Sequence, residues 1–126
     1  MTYSAKVLEH FEHPRFVGEL THPAVSVEVV NSACGDRIKL SILAEGSIIK
    51  AAAMKAVGCP PTIASASVLC EMLIAKTLSE VAKIGAVQIE AALDGLPKNK
   101  RHAAVLAAEA IQEALEKICH EVRTSS

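Results

Sequence analysis

The stretch 37–57, RIKLSILAEGSIIKAAAMKAV, decides the fold that this sequence can adopt. Apolar and polar residues alternate through 37–43, which is the pattern of a strand with one buried face. Glu45-Gly46-Ser47 is a hairpin signal, so 48–57 is interpreted as the returning strand, although its alanines would also suit a helix. The segment 25–30 precedes this pair and carries valines at alternate positions. The region therefore predicts three strands.

Helical patterns lie on both sides of these strands. The predicted helices span 3–12, 60–76, 78–83, 86–93 and 100–122. Pro60 and Pro61 suit the first turn of the second helix, because proline is favoured there. The expected apolar residues are Val7, Leu8 and Phe11 in the first helix, Ile63, Ala66, Cys70, Leu73 and Ile74 in the second, and Ala107, Ile111, Ala114, Leu115 and Ile118 in the last.

Length and composition exclude several classes of protein. A chain of 126 residues has the common size of one domain, so we expect a single domain over 1–126. The net charge of −1 and the aromatic content of 2% argue against a nucleic-acid or membrane partner. No apolar run approaches the length of a membrane span, and the N-terminus lacks a secretory core, so a cytoplasmic location is expected. The four cysteines are accordingly expected to be thiols or ligands.

Topology is expected to bring two distant cysteines together. A hairpin centred between 45 and 46 pairs position 36 with about 55 and position 34 with about 57. Cys34 and Asp36 would then lie at the same end of the sheet as Cys59. Gly35 permits a turn that lets its two neighbours point to one place, and Asp36 is expected to be exposed in this turn. Cys59 directly precedes a predicted helix, whose N-terminus favours a thiolate.

His102 opens the last predicted helix and falls outside its apolar stripe, so an exposed position is expected. Together with Cys34, Asp36 and Cys59 it would complete a tetrahedral zinc site or the four ligands of a two-iron cluster. Each residue also has an ordinary interpretation: a turn aspartate, a buried thiol or a solvated imidazole. The remaining cysteines, Cys70 and Cys119, lie too far along their helices to join, and the other histidines are expected to face water: His10, His13, His22 and His120.

Several motifs resemble those of a known family, in order and over nearly the whole chain. The segments are YSAKV from position 3, HPRFVG from position 13, ACGD from position 33, GC from position 58, IASAS from position 63 and LAAEAI from position 106. These segments are similar to Y-S-x-K-V, N-P-R-N-V-G, A-C-G-D, G-C-x-x-x-I-A-S-S-S and L-A-E-D-A-I. They resemble the motifs of the IscU/NifU-type (U-type) iron–sulfur cluster scaffolds.

The resemblance implies an α+β fold, a three-stranded antiparallel sheet packed by about five helices. It implies a scaffold or carrier, not an enzyme, on which a 2Fe–2S cluster is assembled from sulfur supplied by a cysteine desulfurase and then passed to apo-proteins. It assigns Cys34, Asp36, Cys59 and His102 as ligands of iron or the cluster, with zinc as another occupant.

The chain departs from the family pattern at two places. The family's third cysteine corresponds to Ala103, which we expect at the edge of the apolar stripe beside Cys59. The family's chaperone-binding segment L-P-P-V-K corresponds to LPKNK at 96–100, so the resemblance leaves chaperone docking open. Two other functions therefore stay in view: a divergent zinc-bound or metal-free module that regulates the assembly machinery, and a sulfur-transfer protein that carries a persulfide on Cys59 or Cys34.

Overall fold

The computed structural model describes residues 3–124, and side chains as far as residue 120. A helix, α1, comes first, and a three-stranded sheet and four further helices follow it. The elements are α1 Ala5–Glu12, β1 Val25–Asn31, β2 Asp36–Glu45, β3 Ile48–Val57, α2 Pro60–Leu73, α3 Leu78–Val81, α4 Ala86–Ala92 and α5 His102–Thr124, with a 3₁₀ turn at Lys98–Lys100. The predicted α+β class and the five helices are confirmed.

The sheet is antiparallel with strand order β1-β2-β3, as predicted. The alternation in β2 places Ile38, Leu40 and Ile42 on the core face, each at most 1% exposed. The alanine-rich segment 48–57 is the returning strand. Its alanines suit this position because their small side chains let α2 approach the sheet closely.

The predicted register was wrong by about three positions. Arg37 lies opposite Val57, so Asp36 lies beside Gly58 rather than opposite position 55. Two physical causes account for the difference. The turn contains two residues between the paired Glu45 and Ile48, and a bulge interrupts the ladder between Leu43 and Ala44. The shift places Asp36 next to the segment that leads into α2.

α2 is buried on nearly every side, so the predicted single apolar stripe was wrong. Ala64, Ala66, Leu69 and Leu73 are fully buried, and the small polar residues Thr62, Ser65 and Ser67 are buried among them. The helix also ends at Leu73 and not at residue 76. The backbone of 75–76 leaves the helix because it exchanges hydrogen bonds with Ile49 at the start of β3.

α5 covers the other part of the sheet face and confirms its predicted stripe. All five stripe residues are buried: Ala107, Ile111, Ala114, Leu115 and Ile118. The helix begins at His102 and not at residue 100, since the preceding 3₁₀ turn occupies Lys98–Lys100. α3 and α4 are each shorter than predicted, and α3 is stabilised by a capping box between Thr77 and Glu80.

α1 docks through a face that differs from the predicted one. Val7 is fully buried, but Leu8 and Phe11 are 40% and 37% exposed. The other buried residue is His10, which was predicted to face water and is only 5% exposed. A polar partner on α2 causes this orientation, since His10 Nδ1 lies 2.8 Å from Ser67 Oγ. Among residues 3–124, no helix is long and apolar enough to cross a membrane.

Candidate metal centre

The turn between β1 and β2 carries the first candidate ligand. The carbonyl oxygen of Asn31 accepts hydrogen bonds from the backbone N–H groups of Cys34 and Gly35, at 3.2 and 2.8 Å. Gly35 has a φ of +72°, a conformation that glycine adopts without strain. The turn leaves the Cys34 side chain exposed to solvent. A thiol in this position can be reached by metal ions and by other proteins.

Asp36 begins β2 and is buried, at 1% exposure, so its predicted exposed turn position was wrong. Its carboxylate is held by two groups from other parts of the chain. Oδ2 lies 3.1 Å from His102 Nε2, and Oδ1 accepts a 3.4 Å hydrogen bond from the backbone N–H of Cys59. A buried carboxylate needs such partners, because desolvation without them is costly.

Gly58 makes room for this carboxylate. A Cβ atom at position 58 would lie 2.2 Å from Asp36 Oδ1, and the backbone φ there is +147°. Both the space and the backbone conformation therefore require glycine. The Gly-Cys pair at 58–59 is visible in the sequence, but the reason for the glycine follows only from the corrected strand register.

His102 lies at the first turn of α5, where it was predicted to be exposed. Its side chain is 28% exposed and contacts Asp36, so the helix start faces the sheet end and not only solvent. The contact joins α5 to β2 across 66 positions of sequence. It also orients the imidazole, as carboxylates do for histidines that bind metals.

Three of the four predicted residues offer their ligand atoms at one place. The Cys34 thiol, an Asp36 carboxylate oxygen and a His102 ring nitrogen all lie within 4.8 Å of one another. Thiolate, carboxylate and imidazole are the donors that zinc and iron take in proteins. The residues present therefore fit a metal ion or the iron atoms of a cluster, and the predicted ligand set stays a prediction.

Cys59 is beside this group without joining it. Its backbone N–H contacts Asp36, but its sulfur is not among the atoms that converge. The Cys59 Sγ atom instead lies 3.2 Å from Thr62 Oγ1, one turn into α2. Sequence reasoning did not single out Thr62, whose only signal is its place three residues after a candidate ligand.

The two excluded cysteines are not among the converging donors. Cys70 is buried within α2, and burial raises the pKa of its thiol to about 12, so the thiolate that binds metal is disfavoured. Cys119 is exposed near the far end of α5. Ala103, which was expected at the edge of the α5 stripe, is fully buried.

A second polar cluster, which sequence reasoning missed, fixes α1 to α2. His10 contacts Ser67 through Nδ1 and Glu71 through Nε2, the latter at 3.2 Å. The backbone N–H of Arg15 donates to the same Ser67 hydroxyl at 2.8 Å. Burial lowers the pKa of His10, although the nearby Glu71 carboxylate acts in the opposite direction. Ser67 is fully buried, so the hydroxyl at the centre of the cluster is inaccessible to a substrate.

Comparison with known proteins gives a consistent result. Residues 2–124 match the sequence profile of the NifU-like N terminal domain. The chain is 41% identical over 125 residues to the iron-sulfur cluster assembly scaffold protein IscU of Azotobacter vinelandii, and the match covers 96% of this chain and 97% of that protein. The iron-sulfur cluster assembly scaffold protein IscU 1 from Archaeoglobus fulgidus is 37% identical over 113 residues, with 90% of this chain and 74% of that protein covered.

Solved structures share the fold at lower sequence identity. A putative iron-sulfur cluster assembly scaffold protein for the SUF system from Fervidobacterium islandicum AW-1 superposes with a TM-score of 0.74 at 21% identity, covering 90% of this chain and 96% of the other. The N-terminal NifU-like protein from Brucella abortus gives a TM-score of 0.73 at 18% identity, covering 92% and 93%. Both comparisons confirm the architecture.

Proposed function

Because this chain belongs to the family of NifU-like N-terminal domains, we propose that it is a scaffold on which an iron–sulfur cluster is assembled and from which the cluster passes to apo-proteins. The convergence of Cys34, Asp36 and His102 within 4.8 Å is the observation that supports this function best. The cargo proposed is a 2Fe–2S cluster, and zinc is a second occupant of the same donors.

The three donors differ as iron ligands, which suits a cluster that must be both bound and released. Cys34 supplies a soft thiolate, the ligand type that iron–sulfur clusters prefer. Asp36 and His102 are harder ligands, and they are already hydrogen-bonded to each other at 3.1 Å. Where iron takes this Asp36 oxygen and this His102 nitrogen, it replaces the hydrogen bond, and release restores it. A mixed ligand set of this kind favours a cluster that is transferred easily.

The fourth ligand proposed is Cys59, at the N-terminus of α2. Its Cα is placed next to the site by the hydrogen bond from its own N–H to Asp36. A cysteine desulfurase as the sulfur donor and apo iron–sulfur proteins as acceptors are the partners proposed. Both would approach the sheet end at Cys34, where the exposed thiol is accessible.

A metal-content experiment tests the function. The wild type is reconstituted without oxygen, using ferrous iron, a cysteine desulfurase, cysteine and a dithiol that reduces the persulfide sulfur to sulfide, and cluster formation is followed by absorption and Mössbauer spectra. Loss of the cluster is expected in Cys34→Ala and in His102→Ala. Cys119→Ala is the matched control, since it removes an exposed thiol that lies far from the site. Equal cluster content in all four proteins would contradict the proposed site. Absence of a cluster from the reconstituted wild type would contradict the scaffold and favour a metal-free binding module.

The exposure of Cys34 also favours a second candidate function, that of a persulfide carrier. In this step the Cys34 thiolate attacks the outer sulfur of the desulfurase persulfide, a new S–S bond forms on Cys34, and the desulfurase cysteine leaves as its thiolate. Mass spectrometry after reaction with the desulfurase without iron tests it. An added sulfur on Cys34 supports the carrier, and an unmodified Cys34 contradicts it.

A further inference from the structure

We propose that Thr62 is a positioning residue that holds the Cys59 thiol away from the three converging donors, so that Cys59 is the detachable ligand of the site. The proposal rests on the scaffold function given above. It adds a residue to which the family resemblance assigns no role, because position 62 is a variable position of the Gly-Cys motif.

The Thr62 hydroxyl is directed at the thiol. Thr62 is fully buried in the first turn of α2, and its Oγ1 lies 3.2 Å from Cys59 Sγ. The backbone N–H of Thr62 already donates to the Cys59 carbonyl oxygen at 2.9 Å. Within the described part of the chain, the thiol is the hydrogen-bond partner that the structure gives this buried hydroxyl. If the thiol leaves, a buried polar group loses that partner, which has a cost.

The movement from Thr62 to the metal donors is a rotation of one side chain. The backbone of Cys59 is fixed on one side by the 3.4 Å hydrogen bond to Asp36 Oδ1. On the other side, Pro60 and Pro61 restrict the backbone that enters α2. The sulfur can therefore change place by rotation about χ1 between staggered positions, while the backbone stays where it is. Because the Cys59 backbone already contacts Asp36, we infer that rotation of the side chain is enough to bring the sulfur towards the donors.

The two positions of the Cys59 sulfur give the site different numbers of thiolate ligands. With the sulfur at Thr62, the site offers one thiolate, one carboxylate and one imidazole. With the sulfur turned towards Asp36, the site offers two thiolates and can enclose iron or zinc more firmly. Because ligation breaks the Thr62 hydrogen bond, the hydroxyl lowers metal affinity and favours release of the fourth ligand.

Cobalt binding to three variants tests the proposal. Thr62→Val keeps the shape of the side chain and removes the hydroxyl, so Co²⁺ should bind about five-fold more tightly than in the wild type. The gain should be absent when Cys59→Ala is combined with it, and Thr62→Ser should restore the affinity of the wild type. The sulfur-to-cobalt charge-transfer absorption should strengthen in Thr62→Val, because it reports the number of bound thiolates.

Equal or weaker Co²⁺ binding by Thr62→Val would overturn the proposal, because the hydroxyl would then be irrelevant or would support the bound thiolate. A gain that persists without Cys59 would overturn it too. Thermal unfolding separates these outcomes from a merely structural role, which would change the melting temperature and leave the thiolate absorption unchanged.

A measurement on the wild type does not depend on how the variants fold. The chain has five threonines, so the Thr62 methyl signal can be assigned in protein labelled with ¹³C-threonine. Zn²⁺ should shift this signal in the wild type and not in Cys59→Ala. An unchanged signal in zinc-bound wild type overturns the proposal. Cys34→Ala separates failure of the Thr62 proposal from failure of the proposed metal site. If Cys34→Ala still binds Zn²⁺ with wild-type affinity, the proposed site fails, whatever the result for Thr62.

Discussion

At Gly58 the chain passes so close to Asp36 that a side chain has no space. The first prediction concerns Gly58→Ala, whose Cβ would lie 2.2 Å from Asp36 Oδ1. We expect the carboxylate to move, its hydrogen bond with His102 to break, and Zn²⁺ affinity to fall by at least tenfold, because one of three donors is displaced. Isothermal titration with Zn²⁺ measures this.

Gly18 provides a matched control for that substitution. Its φ of +145° is nearly that of Gly58, but a Cβ there meets no atom within 4 Å. Gly18→Ala and Gly58→Ala should therefore both lose stability through backbone strain, whereas only Gly58→Ala should lose zinc affinity. Similar zinc affinity in the two variants would show that the close contact with Asp36 is unimportant.

Ala103 was predicted at the edge of the α5 stripe, and its complete burial decides the consequence of a thiol there. The residue is fully buried, so the sulfur of Ala103→Cys has to be accommodated in a packed region. We expect a loss of about 1–3 kcal/mol in the free energy of unfolding, measured with urea. We also expect no persulfide on residue 103, because a partner's persulfide cannot reach it. Sulfur found on residue 103 by peptide mass spectrometry would contradict this.

At the scale of elements, the strands followed from the sequence better than the helix faces did. The alternation in 37–43 predicted β2 because one face of the strand lies in the core and the other carries charged residues such as Lys39, which pairs with Glu19. The apolar stripe of α5 was predicted correctly for the same kind of reason, since one side faces solvent. α2 is buried on nearly every side, so its pattern carried little directional information.

The errors at this scale have one physical cause. Polar residues that are buried with a partner are indistinguishable in sequence from polar residues in water. Asp36 and His10 were both predicted to be exposed, and both are buried because a specific partner compensates for desolvation. Those partners lie 66 and 57 positions away, so they are visible only once the register and helix packing are known.

The attachment of α1 to α2 should depend on pH through His10. Burial lowers the pKa of this imidazole in the folded protein, while the Glu71 carboxylate opposes the shift and the Arg15 cation adds to it. The His10 imidazole therefore binds a proton more readily in the unfolded chain than in the folded protein. Stability should be at its full value above the unfolded pKa of about 6.5 and should fall as the pH decreases below it. Urea unfolding at pH 7.5 and 5.5 measures the change.

His10→Gln should be less stable than the wild type at pH 7.5 and should lose less stability between pH 7.5 and 5.5. His13→Gln is the control, because His13 is exposed on the segment that follows α1. It should keep the pH dependence of the wild type. An identical pH dependence in wild type and His10→Gln would exclude His10 as its source.

For the whole molecule, the site connects parts of the chain that are distant in sequence. Cys34 and Asp36 lie at one end of the sheet, Cys59 begins α2 and His102 begins α5. α2 and α5 pack on the sheet and on each other, so the three segments meet where the core ends. The unfolded chain holds these ligands far apart, and a metal ion that needs all of them binds the folded state preferentially.

This preference predicts that Zn²⁺ stabilises the fold. At a free zinc concentration one hundred times the dissociation constant, the stabilisation should be about 2.7 kcal/mol, which raises the melting temperature by roughly 10 °C for a domain of this size. Scanning calorimetry with and without Zn²⁺ measures the shift. Cys34→Ala should lose most of it, whereas Cys119→Ala should keep it, because Cys119 is exposed and distant from the donors. An equally large shift in Cys34→Ala would show that the zinc binds elsewhere. The stabilisation would then not depend on the sheet end, α2 and α5 coming together.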